Sequence, residues 1–175
     1  MKLDFDQQRL LNLMKDFHLL TGIRIVLFDD EYQQLLSWPE HDCAFCECMK
    51  QHPTAKEFCN QSDILSFSES KKSKNLMIYH CHAGLIEATM PLIFNHVVIG
   101  YLMFGQISDV ESELALQQLI TTSLEKYDID TDTIHQYLSQ DDAYTAYFSR
   151  IAHNLMESAA IYYGDAAQYT HEVYH

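Results

Sequence analysis

The chain has 175 residues, 47% of them hydrophobic and 12% aromatic, enough to build one domain with a substantial core. Eleven basic against 25 acidic side chains give a formal net charge of −14, a field that repels phosphate backbones and anionic lipid, so neither nucleic acid nor a membrane is an expected direct partner. No apolar run nears the roughly 20 residues that span a bilayer. The opening Met1-Lys2-Leu3-Asp4-Phe5-Asp6 also lacks the basic end and apolar run of a secretory signal, so a cytoplasmic location is expected, with the five cysteines kept as thiols or ligands.

In chain order, Leu10, Leu13, Met14, Phe17 and Leu20 recur at three-and-four spacing and predict a helix over 4–20, closed by Gly22. Residues 23–28 are β-branched and aromatic, and with 33–38 they predict a hairpin across the polar Asp29-Asp30-Glu31 turn. Pro39 stops it. Helices follow over 43–52 and 53–70, with Pro53 suited to a first helical turn and Lys71-Lys72-Ser73-Lys74 read as a turn. A strand at 76–79 precedes a second hairpin, 88–94 with 96–105, joined at Asn95-His96. Helices are expected at 110–126 and 130–139, and from Asp141 a long helix carries the stripe Tyr144, Phe148, Ile151, Leu155, Ala159 and Tyr162. The order gives an α+β fold, an antiparallel sheet of about five strands with flanking helices. We divide it into a domain over 1–140 and a C-terminal helix over 141–175, which packs on the sheet, pairs two copies or carries a signal outward.

Four cysteines fall at 43, 46, 48 and 59, and Cys81 follows between His80 and His82. Thiolate and imidazole are the ligands zinc prefers, so Cys46, Cys59 and Cys81 are candidate ligands for zinc or iron; the spacing is irregular for a structural zinc site. The plain alternative is that these cysteines are small buried hydrophobes. A Cys43/Cys46 redox dithiol lacks a thioredoxin-like strand-loop-helix context. A Cys81 nucleophile paired with His80 or His82 is disfavoured because strand neighbours point to opposite faces, and no catalytic residues are assigned.

The stretch Tyr79-His80-Cys81-His82-Ala83-Gly84-Leu85-Ile86-Glu87-Ala88-Thr89-Met90-Pro91-Leu92, with Phe45-Cys46, Cys59, Asp63 and Val98 to Gln106, resembles the PocR-type sensory domain. The resemblance covers roughly 22–108 and implies a variant PAS-like fold in front of AraC-type transcription regulators or sensor kinases. It implies sensing of a small hydrocarbon derivative such as a diol or alcohol, with Cys46, Cys59, Asp63, Cys81 and His82 in the pocket and Gly84, Gly100 and Gly105 as structural glycines. Cys43 and Cys48 are not part of the resemblance and are read as bystanders.

A small-ligand site is mostly apolar, with a few polar groups that fix orientation. Tyr79, Ile86, Met90, Met103 and Phe104 are candidates for the apolar wall, and Asp63, His82 and Glu87 for the polar contacts. Glu87 lies between Ile86 and Ala88 in an apolar strand, so it faces either solvent or a buried partner. The expected partners are a small molecule and a second copy of the chain, with DNA reached only through an output domain outside this segment.

Overall fold

The computed structural model describes residues 6–130, positions 109 and 111 apart. The helices expected at 130–139 and from 141 onward, and with them the 141–175 unit, lie outside the described residues.

Helix α1 (Gln7–Thr21) begins at Asp6, whose carboxylate accepts from Arg9 N at 3.0 Å, and ends on Gly22 at φ 71°. Its start falls three residues later than the sequence suggested, because Asp6 caps it. Strands β1 (Arg24–Asp29) and β2 (Gln34–Trp38) form the first hairpin. Helix α2 (Ala44–Gln51) and helix α3 (Pro53–Ser73) follow, with Pro53 in the first turn of α3. Lys71 and Lys72, read as a turn, belong to the last turn of α3, where cations suit the helix dipole; Lys74 in the left-handed conformation supplies the stop. Strands β3 (Met77–His80), β4 (Ile86–Phe94) and β5 (Val97–Ile107) complete the sheet, and α4 (Glu113–Glu125) starts on a Ser112 cap.

All pairings are antiparallel and the strand order is β2-β1-β5-β4-β3, an open five-stranded PAS-like sheet. Alternation assigns the faces. Phe104 of β5 faces α1, where the tilted rings of Phe17 and Phe104 lie with centroids 5.4 Å apart. Val26, Met103 and Tyr101 face the other way and pack with Phe67 of α3. On this second face Ser66 and Thr89 share a 2.9 Å hydrogen bond that ties α3 to β4. A further core joins α2, the start of α3, Ala83, Leu85 and α4 through Phe45, Met49, Ile120, Leu124 and Tyr127.

The β4–β5 register breaks once in a way that matters for the site: Ala88 pairs with Phe104 and Ile86 with Ile107, so Gly105 and Gln106 together oppose Glu87. This is a β-bulge, and it leaves Gln106 at φ 64°, a region a side chain normally avoids.

Candidate ligand-binding site

On the α3 face the sheet leaves a cavity of about 70 Å³ beneath α2 and α3. Arg24, Val26 and Phe28 of β1, Met103 and Gly105 of β5 and Glu87 of β4 form its floor, as their common parity requires. Cys46, Met49 and Lys50 come from α2, Cys59 and Asp63 from α3, one helical turn apart, and Cys81, His82 and Ala83 from the turn that Cys81 N closes on Leu85 O at 2.8 Å. The volume is far below the roughly 300–1,000 Å³ of drug-sized sites. It suits a molecule of few heavy atoms.

One wall is a polar network. Asp42 Oδ2 pairs with Lys50 Nζ at 2.6 Å, while its Oδ1 faces Arg24 at 3.3 Å and accepts from Gln106 Nε2 at 2.7 Å. Gln106 Oε1 accepts from Cys43 N at 2.7 Å, and Gln106 N donates to Glu87 Oε1 at 3.1 Å. The bulge therefore places one residue against both the carboxyl on the floor and the start of α2. Burial opposes charge on Asp42, but Lys50 and Arg24 overcome it and hold this carboxyl below its usual range.

Among the described residues the other two acids form no such ion pair and feel Lys50 only at longer range. Burial pushes Asp63 up to about 6, offset in part by the 3.1 Å hydrogen bond from Tyr79 Oη. Burial also raises Glu87 well above the ordinary range, with the Asp63 charge adding to it, so Glu87 favours its neutral, proton-bearing form. On the far side Cys59 Sγ lies 3.1 Å from His82 Nε2, and His82 Nδ1 lies 2.7 Å from Tyr127 Oη. Burial lowers His82 and lifts the Cys59 thiol to about 11, so neutral partners are favoured there too.

Of the residues singled out in the sequence, Cys46, Cys59, Asp63, Cys81, His82 and Glu87 come together on this cavity. Tyr79 stands behind it, pinning Asp63. Met90 is not on it: Met90 shares the parity of Ile86 and Ala88 and sits on the sheet face opposite Glu87 and Thr89. The same parity removes Ile86 and Phe104 from the expected wall. Cys48 is buried in the core, as a bystander would be, but Cys43 is not one, since its amide is held by Gln106 and its thiol contacts Cys46.

The zinc or iron reading gains no support from the geometry: among the described residues no group of three or more His, Cys, Asp or Glu side chains is arranged to hold a metal ion. Cys46 turns to Cys43 and Cys59 to His82, so the three sulfurs line one cavity without forming a ligand set. An imidazole does lie beside a thiol, His82 on Cys59. Arg24, Asp42, Lys50 and Gln106 were missed. Gln106 had a signal, its place directly after Gly105 in the apolar strand, while the other three sit in no motif.

The open sheet and the enclosed cavity between it and its helices place the chain in the PAS-like α+β class. The model of the family described as the sensory domain found in PocR matches residues 4–171, and the chain belongs to that family. It is similar to the regulatory protein PocR of Salmonella typhimurium (strain LT2), 33% identical over 105 residues, which is 57% of this chain and 33% of that protein. The chain thus spans about a third of the curated relative it matches. No solved structure matches it. Among the described residues no helix is long and apolar enough to cross a membrane.

Proposed function

We propose that this chain senses a small, neutral, hydroxylated hydrocarbon, a diol or a short alcohol, in the cavity between sheet and helices. The observation that carries the reading is the cavity itself: about 70 Å³, floored by Val26, Phe28 and Met103, with Asp63 and Glu87 outside any ion pair among the described residues and the two lining cations, Lys50 and Arg24, both engaged by Asp42. An anionic ligand would find the nearby cations, Lys50 and Arg24, already spent on Asp42, whereas hydroxyls find both acceptors and donors. Occupancy is relayed to a DNA-binding or kinase output unit in a longer protein, with residues 141–175 as the signalling or pairing segment, in a cytoplasmic homodimer that performs no catalysis. Leu13, Leu19 and Leu20, exposed on α1, supply apolar surface that favours pairing.

A thermal-shift screen of two- to four-carbon alcohols, diols, acids and amines tests the reading. Saturable stabilisation by the hydroxylated neutral set is expected, approaching about 2.7 kcal/mol at a hundredfold excess over Kd. Stabilisation by the acids or amines alone, or by nothing in the set, would overturn it.

A further inference from the structure

We propose that Cys43 and Cys46 form an oxidisable dithiol at the start of α2, closing to a disulfide by exchange with a small-molecule disulfide and so altering one wall of the cavity. Cys43 is the N-cap residue, with extended backbone at φ −64° and ψ 155°, and Cys46 lies three residues on, within the first turn. This is the placement in which a Cys-x-x-Cys pair can close. The two thiols are already in hydrogen-bond contact, and both residues are partly accessible.

The pair is asymmetric. The hydrogen bond to Cys43 and burial push the Cys46 thiol well up, so Cys46 keeps its proton and Cys43 is the attacking sulfur. In the first step the Cys43 thiolate attacks a low-molecular-weight disulfide, forming a mixed disulfide and releasing one thiolate. In the second, Cys46 loses its proton and attacks the Cys43 sulfur, releasing the second thiolate. Two protein thiols are thereby oxidised to one disulfide, and one small disulfide is reduced to two thiols. The other cysteines are poorly placed to compete, Cys48 in the core and Cys59 on His82. Closure removes the Cys46 S–H from the cavity lining and pulls on Cys43, whose amide Gln106 holds, and Gln106 in turn holds Glu87. The dithiol stands whatever ligand the cavity takes.

The test equilibrates the native chain with reduced and oxidised glutathione in rising oxidised proportion, quenches with acid, alkylates and maps the cysteines by peptide mass. The expected product is a single Cys43–Cys46 disulfide with Cys48, Cys59 and Cys81 alkylated, while Cys46→Ser leaves glutathione on Cys43 and Cys43→Ser stays reduced. A disulfide from Cys46 to Cys59 or Cys81, a glutathione adduct that persists in the unsubstituted chain, or full alkylation of all five cysteines at every ratio would overturn the proposal.

Discussion

At the scale of single residues, an acid set between Ile86 and Ala88 in an apolar strand needs either water or a built environment. Glu87 has the second: Gln106 N donates to it, and the space its carboxyl occupies exists because residue 105 carries no side chain. A Cβ at Gly105 would overlap the Glu87 carboxyl, the end of a side chain that could yield only by leaving its Gln106 hydrogen bond and its buried place. Gly105→Ala is therefore expected to cost about 1–3 kcal/mol of unfolding free energy. In a double-mutant cycle by urea denaturation, Glu87→Ala should recover part of that loss, and strict additivity would contradict the contact.

Asp63 makes a pH prediction. Its folded-state pKa of about 6 lies above the ordinary 3.8, so between these values the folded chain holds more protons than the unfolded one. The contribution of Asp63 is most favourable below about 4 and is lost as pH rises to about 6. Unfolding free energy of the unsubstituted chain minus that of Asp63→Asn should fall by about 2 kcal/mol over this window, allowing for partial solvent screening, and then level off. A flat or rising difference would contradict the assignment.

The sequence carried more of the site than its geometry alone would suggest, because the motif holding Cys46, Cys59, Asp63, Cys81 and His82 is contiguous with the cavity they line. What it lost was direction. Met90 lies three residues from Glu87 in one strand, so the two cannot share a face, a rule available from the sequence once Glu87 is assigned inward. Gln106 carried a signal in the Gly105-Gln106 end of the strand, but not its direction: the bulge re-aims it, and a register shift leaves no trace in apolar alternation.

At the scale of elements, periodicity located the described helices and strands, and the errors lie at their ends, where caps decide. α3 runs to Ser73 because charged residues continue a helix readily until Lys74 turns left-handed. The β4–β5 hairpin shows how turn chemistry fixes register. Asn95 and His96 have φ values of 49° and 66°, a type I′ connection that suits the sheet twist and strains His96. His96→Gly is expected to stabilise the chain by about 0.5–1 kcal/mol, since the hydrogen bond from Lys74 Nζ uses the His96 backbone oxygen and survives. A loss of stability in chemical denaturation would contradict the turn assignment.

At the scale of the molecule, the two faces of the sheet do different jobs. α1 covers one with an apolar seam, while the other holds the polar cavity, and its wall leads from Cys59 through His82 to Tyr127 just past the end of α4. In the proposed function this wall is the route by which occupancy would be passed on along the chain past Tyr127, toward residues that the family model includes up to 171. For the proposed homodimer, light scattering should return twice the chain mass of 20.4 kDa, and the mass of a single chain would refute pairing.

The central claim is that the cavity under α2 and α3 holds the ligand. Its most direct test is titration calorimetry of the best hydroxylated ligand against the unsubstituted chain, Asp63→Asn, Glu87→Gln and Met90→Ala. The two cavity variants should weaken binding about tenfold or more, equivalent to roughly 1.4 kcal/mol, while Met90→Ala, on the opposite face, leaves Kd unchanged. Unaltered binding in both cavity variants, or weakening confined to Met90→Ala, would contradict the account.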